Sequence, residues 1–222
     1  MSRVVVKCGG AVASESADAI LAVASSGVEV CVVHGAGPQI SAEMLHFHVP
    51  IRFVGGRRVT SPAALMLVHR TLAEVNASLC TALGSRAVGL LGDEIGLEAI
   101  PVPELGLVGE PLPCSPTAVI AALEAGQIPV VAPLAKGPLN VNADEAAAAL
   151  AIGLGAERLL FVTDVPGLLL GGVVVPSIEA VEADRLLSGG DLEGGIVPKL
   201  RAAVTAARVG VHTEIGETAV VG

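Results

Sequence analysis

Short apolar runs dominated by Val and Leu recur along the chain, at residues 4–6, 28–33, 87–91, 128–132 and 159–162. A strand with one wet face would alternate apolar and polar residues, whereas continuous runs of this length mark strands buried on both faces of a parallel sheet. Alanine-rich helical stretches lie between most of them. Strands alternating with helices predict an α/β fold.

Residues 64–83 show the other periodicity. Their apolar positions, Leu65, Val68, Leu72, Val75, Leu79 and Leu83, step by three or four, and Ser61-Pro62 supplies a helix start. This predicts an amphipathic helix, with His69 as a surface or interface residue because no second ligand stands at helical spacing. Residues 168–175 read as a hairpin around the Gly171-Gly172 turn. A glycine-rich stretch at 188–195 then leads to a helix from about Pro198, with glycine density that marks close backbone approach or mobility.

Composition narrows the classes of function. The 222 residues carry 13 Lys+Arg against 22 Asp+Glu, a formal charge of -9, with no Trp or Tyr and three Phe. Neither the electrostatic footprint nor the stacking platforms of a nucleic-acid binder are present, so nucleic acid is not expected as a partner. Mean hydropathy is high at +0.73, yet the longest apolar stretch, residues 146–156, is well short of the roughly 18 needed to span a bilayer. The start of the chain runs straight into a strand pattern without signal-peptide features. A soluble, cytoplasmic protein without membrane attachment is the expectation. Cys8, Cys31, Cys80 and Cys114 lack Cys-x-x-Cys spacing and read as structural thiols.

The candidate chemistry clusters where apolar runs end. Lys7 closes the first run and Gly9-Gly10 follow, placing an ammonium and unshielded amides at a strand's carboxyl end. That suits anionic oxygens, although a surface lysine before an ordinary turn has the same sequence. The second run ends in His34-Gly35-Ala36-Gly37-Pro38 before a helix, another turn that lets backbone N–H groups approach an anion. Arg57-Arg58 is either a solvated basic pair or a carboxylate grip. In Asn140-Val141-Asn142-Ala143-Asp144, helix capping explains one polar residue but not three. Thr163-Asp164-Val165-Pro166-Gly167 and Gly194-Gly195-Ile196-Val197-Pro198-Lys199 complete the set. Ligands of open α/β sheets bind at strand carboxyl ends, where all of these fall.

On these motifs, with Phe53-Val54-Gly55-Gly56-Arg57-Arg58-Val59-Thr60, the chain resembles the amino acid kinase family nearly end to end, and within it the acetylglutamate kinases. The lysine and aspartate elements are shared widely in that family. The Arg-Val-Thr segment combined with Asn-Val-Asn-Ala-Asp is characteristic of the acetylglutamate enzymes. The resemblance implies a three-layer αβα sandwich around a mainly parallel open sheet. It also implies a single domain over 1–222, with an acetylglutamate-binding and dimerisation lobe at about 1–145 and a nucleotide-binding lobe at about 146–222.

The implied reaction is ATP-dependent phosphorylation of the side-chain carboxylate of N-acetyl-L-glutamate, in arginine biosynthesis, with Mg2+ bound through the ATP phosphates. By the same resemblance Lys7 and Lys199 stabilise the transferring phosphoryl group, Asp144 organises both lysines, and Gly10 donates its backbone N–H to the phosphate. Ala36, Gly37, Arg58 and Asn140 would line the acetylglutamate site. Lys7, Gly9, Asp164, Val165, Gly167, Leu168, Gly194, Gly195 and Lys199 would border the nucleotide. No metal-ligating side chains are implied. A carboxylate needs no deprotonation at neutral pH, so no general base is assigned, and alignment with positive charge does the work.

Where the family usually has His-Gly-Gly-Gly, this chain has Ala36, which is harmless if that residue keeps φ negative. Beyond Val211 the usual last helix region is nearly absent, and residues 214–222 are expected to close the sheet. Arg57 is expected to point away from the site and to tolerate substitution. Only Met1-Ser2-Arg3 precede the first apolar run, which leads to the expectation of a homodimer, built on residues 64–83, that L-arginine does not inhibit. Two rival readings are a kinase acting on carrier-bound aminoadipate or glutamate, which would want a basic docking surface, and a non-catalytic binding member of the fold. Two lysines and Asp144 argue against a mere binder, which has no need of charge aimed at a transition state.

Overall fold

The apolar runs at 4–6, 28–33, 87–91, 128–132 and 159–162 all become strands of one sheet in the computed structural model, which describes residues 2–9, 16–163, 165–190 and 192–222. Gly10 and Asp164, both expected at the site, lie outside the described residues.

The chain begins with β1 (Arg3–Cys8), α1 (Ser16–Ser25), β2 (Glu29–His34) and α2 (Gly37–His46), then a short hairpin of β3 (Phe53–Val54) and β4 (Arg57–Arg58). The long helix α3 (Pro62–Leu83) leads to β5 (Ala87–Leu91), β6 (Ala99–Pro101), β7 (Val108–Pro111) and α4 (Thr117–Glu124). Next come β8 (Ile128–Ala132), β9 (Leu134–Ala135), β10 (Leu139–Val141), α5 (Ala143–Gly153) and β11 (Arg158–Val162). A second hairpin, β12 (Leu169–Leu170) and β13 (Val173–Val174), precedes β14 (Ser177–Glu179), α6 (Ala180–Gly189) and α7 (Ile196–Ala207). The chain closes with β15 (His212–Ile215) and β16 (Thr218–Val221).

Eight strands form the main sheet in the order β14-β16-β15-β11-β1-β2-β8-β5. Every neighbouring pair is parallel except β15 with β16. Strand geometry sends alternate side chains to opposite faces. Val5, Cys31, Val33, Val131, Leu159 and Phe161 accordingly pack with Leu123 of α4, Leu150 of α5 and Leu200 of α7. Val4, Val6, Val30, Val32 and Val130 pack with Ile20 of α1 and Leu79 of α3. Helices on both faces make the three-layer α/β sandwich, and its core is aliphatic. At about 1.5–3 kcal/mol for each fully buried Val or Leu side chain, such pairs are the main favourable contribution.

Helix α3 starts and stops where its sequence indicates. The Ser61 hydroxyl accepts from the Ala64 amide at 3.2 Å, Pro62 opens the helix, and Gly84 ends it with φ 81°. Helix α7 starts at Ile196, two residues before the expected Pro198, because a proline in the first turn forfeits no helical hydrogen bond. The hairpin at Gly171-Gly172 forms as expected, and residues 212–221 close one side of the sheet. His69 lies half-exposed on α3, 3.3 Å from Asp93. Among the described residues no helix is long and apolar enough to cross a membrane.

One layer escapes local reading. A second sheet, ordered β6-β7-β10-β9, is built of strands two to four residues long that carry Pro101, Gly109 and Pro111. Its central pairing sets Asn140 beside Val108, and it brings Asn140 to the carboxyl-end crevice of the main sheet. That crevice sits at the topological switch point: β1 has β2 on one side and β11, much later in the chain, on the other.

Candidate active site

Strand β1 carries Lys7 near its carboxyl end, and the first turn of α5 carries Asp144. Lys7 Nζ lies 2.8 Å from Asp144 Oδ1, and both side chains are 7% exposed. Removing two ions from water costs several kcal/mol each, so the pair persists only because each neutralises the other at contact distance. The α5 N-terminus also favours the carboxylate. Asn142 caps that helix, its Oδ1 accepting from the amides of Asp144 (2.8 Å) and Glu145 (3.2 Å).

Arg58 occupies the same cleft in a different electrostatic state. Its guanidinium is buried, donating through Nη2 to the Gly37 carbonyl (3.0 Å) and the Ser41 hydroxyl (2.9 Å) and through Nη1 to Met44 Sδ (3.3 Å). The Phe53 ring lies against its face, 4.6 Å to the centroid. Every partner is neutral. Among the described residues no carboxylate pairs with Arg58, and burial lowers its pKa. A desolvated guanidinium with neutral acceptors only is a receptor for an incoming carboxylate.

A chain of hydrogen bonds fixes the backbone beneath it. Thr60, fully buried, donates to the Arg58 carbonyl (2.7 Å) and accepts from Asn140 Nδ2 (3.0 Å). Gly106 admits this approach: with φ 84°, a Cβ there would fall 2.4 Å from the Thr60 carbonyl oxygen. Each polar residue of Asn140-Val141-Asn142-Ala143-Asp144 thus has its own task, two of them unrelated to capping.

The turn after β2 rests on a polar network inside the core. His34, fully buried, accepts at Nε2 from Asn76 Nδ2 (3.1 Å), leaving Nδ1–H directed to the Gly35 carbonyl (3.4 Å). Asn76 Nδ2 also donates to the Val130 carbonyl at 2.8 Å. Burial pushes the His34 pKa down to about 4, so the imidazole is neutral. Ala36 has φ -145°, on the negative side, so the alanine in this turn needs no left-handed backbone. Asn76 carries a signal that sequence reading passed over, a polar residue one helical turn after Leu72 on a buried face.

Lys7, Gly9, Ala36, Gly37, Arg58, Asn140 and Asp144 therefore line one cleft of about 290 Å3. The N-termini of α2 and α5 both border it, adding backbone N–H groups to its positive charge. A second cleft, of about 550 Å3, is lined by Val165, Gly167, Leu168, Gly195 and Lys199. Lys199 lies here rather than in the first cleft, and its Nζ donates to the Gly195 carbonyl at 3.2 Å. A cation at the end of a helix's first turn runs against the macrodipole preference, which helix stability alone does not explain. Gly194 lines a third groove, of about 510 Å3, where Gly56 approaches Pro198.

Arg57 has partners that the expectation did not contain. It does turn away from Arg58's partners, but Nε lies 3.0 Å from both carboxylate oxygens of Glu145, and Nη2 lies 3.0 Å from Glu110. It is neither solvated nor idle.

Both the sequence and the fold have counterparts among known proteins. The model of the amino acid kinase family matches residues 2–216. The acetylglutamate kinase of Rubrobacter xylanophilus is 44% identical, over 97% of this chain and 88% of that protein. That of Geobacillus kaustophilus is 39% identical, over 91% and 84%. Among solved structures, smu.665 from Streptococcus mutans UA159 superposes with a TM-score of 0.88 at 28% identity, covering 99% of this chain and 98% of that one. Matched along nearly its whole length in both sequence and fold, the chain belongs to the amino acid kinase family.

Proposed function

We infer that this chain is an enzyme that transfers the γ-phosphoryl group of ATP to the side-chain carboxylate of N-acetyl-L-glutamate, a step of arginine biosynthesis. Similarity to acetylglutamate kinases over most of both chains supports the reaction. The observation that carries the assignment to this cleft is Arg58, buried and without a carboxylate partner among the described residues, lining the same cavity as Lys7.

In this reading the first cleft takes acetylglutamate and the second takes MgATP, with Mg2+ as part of the substrate. Arg58 grips a substrate carboxylate, while Asn140 and the backbone of Ala36 and Gly37 orient the rest. The side-chain carboxylate attacks the γ-phosphorus in line; the new O–P bond forms as the bond to the bridging oxygen breaks, and ADP leaves with that electron pair. No proton moves. Lys7, fixed by Asp144, places its ammonium where negative charge accumulates, and Lys199 serves the nucleotide side. Two lobes, about 1–145 and 146–222, divide the substrates between them.

A coupled assay of ADP release tests the reading. Release should require N-acetyl-L-glutamate, and equal release without it, or none with it, would reject the assignment. We further propose a homodimer built on α3, where Met66 is exposed, and light scattering at the monomer mass would reject that part. Four free thiols suit a reducing cytoplasm.

A further inference from the structure

The β3–β4 hairpin is the weakest scaffold in the site. Two residues per strand, paired as Phe53 with Arg58 and Val54 with Arg57, cannot hold a position by themselves. Yet this hairpin carries Arg58, whose placement relative to Lys7 and Asp144 sets the geometry of the first cleft. Something outside it must fix its position.

Besides the contacts of Arg58 with α2 and of Thr60 with Asn140, two ties run to the start of α5. Asn142 Nδ2 donates to the Gly56 carbonyl at 3.1 Å. Arg57 Nε, next in the chain, donates to both oxygens of Glu145 at 3.0 Å, with the Arg57 and Glu145 side chains 20% and 15% exposed. Neighbouring residues of a strand point to opposite sides, so Arg58 reaches α2 while Arg57 reaches α5. The neighbour of Glu145 on α5 is Asp144, the partner of Lys7. One two-residue strand thereby connects Arg58 to the Lys7–Asp144 pair. Glu110 on β7 gives Arg57 a second, more exposed carboxylate. Burial raises the Glu145 pKa while Arg57 draws it back, so this carboxylate gains from the pairing.

We propose that Arg57 is a positioning residue for phosphoryl transfer: its ion pair with Glu145 clamps the Arg58-bearing hairpin to the helix that presents Asp144. The consequence for catalysis rests on the acetylglutamate kinase reading above; the mechanical coupling does not.

The experiment is a double-mutant cycle with Arg57→Met, Glu145→Met and the double variant. It has two readouts: kcat and KM for both substrates, and amide hydrogen exchange of residues 53–58 without ligand. Each single variant should raise the acetylglutamate KM about ten-fold and leave the ATP KM within two-fold. The double should be no worse than the poorer single, since the interaction can be lost only once. Exchange at 53–58 should quicken at least ten-fold in all three while β1 and β2 keep their protection, which separates loss of the clamp from misfolding. Arg57→Lys, which keeps the charge but loses the fork, should recover part of the loss. Additive losses, a single variant within two-fold of the parent, or unchanged exchange at 53–58 would overturn the proposal. A parent protein that does not phosphorylate N-acetyl-L-glutamate overturns the functional reading instead, and hydrogen exchange still decides the clamp.

Discussion

The two clefts solve the problem of holding an anion in opposite ways. In the first, Lys7 and Arg58 are buried, and side chains from β1, α2, β4, β10 and α5 fix them through hydrogen bonds and an ion pair. In the second, the lining comes largely from two glycine-containing segments, Val165, Leu169 and Glu193 are exposed, and the cavity is nearly twice as large. The first cleft is ordered before any ligand arrives, with the cost of organising charge already met by folding. The second is wider and its described lining is more exposed, and in the proposed reading the nucleotide completes its order. Preorganised charge acts on the transition state without rearranging during reaction, so on the proposed function the small cleft would be the seat of rate and specificity and the wide one a looser holder of ATP.

The sharpest way to break that contrast is to remove charge from each side. Lys7→Ala should lower kcat by on the order of 10² or more while the acetylglutamate KM stays within a few-fold, because the lost interaction strengthens in the transition state. Lys199→Ala should do the same but also raise the ATP KM, as the lysine lines the nucleotide side. Steady-state kinetics with each substrate varied would check both, and unchanged kcat in either variant would remove that lysine from the mechanism.

Arg58→Lys tests specificity in the small cleft. Lysine keeps the charge but not the fork, so about 1.5–3 kcal/mol of acetylglutamate binding should be lost, as for a charge-assisted hydrogen bond. The ATP KM should barely move. Equal effects on both substrates would mean that the guanidinium holds the fold rather than the ligand.

The contrast also explains what the sequence made legible. Apolar runs and the three- or four-residue spacing of α3 are local signals, and they located five of the eight strands of the main sheet and the long helix with its Ser61 cap. Lys7, Arg58, Asn140 and Asp144 stood out because each sat beside glycine or another polar group at the end of a run. Their convergence was not legible, since it depends on the β6-β7-β10-β9 sheet, whose strands of two to four residues are too short to show a periodicity. The Asn76–His34 contact spans 42 residues and the Arg57–Glu145 pair spans 88, so neither leaves a local pattern. The partners of Arg57 were not legible for that reason: they are remote in sequence, and only the fold reveals them.

The buried imidazole gives a pH signature to the ordered side of the molecule. His34 has its pKa lowered to about 4 from an ordinary value near 6.5. Between those values the unfolded chain binds a proton that the folded chain refuses, so stability falls as pH falls through that window. The His34 contribution to this loss should be about 2 kcal/mol between pH 7 and pH 5. Urea unfolding of the parent and of His34→Gln at both pH values isolates it. The parent should lose more on acidification than the variant, and parallel losses would show that His34 is not the group responsible.

The smallest effect is expected on the open side, and its size is the point. Leu169, exposed on β12, borders the wide cleft together with Gly167 and Leu168. Replacing it by alanine removes apolar surface that a nucleotide would cover only in part, about 1 kcal/mol at most by area. No buried charge loses its partner, and no packed core is opened. The ATP KM should therefore rise by about two- to five-fold, with kcat and the acetylglutamate KM unchanged. Kinetics at saturating acetylglutamate would measure this directly. A fall in kcat like that of Lys7→Ala would mean that β12 is organised with the chemistry after all, and that the two clefts differ in size but not in kind.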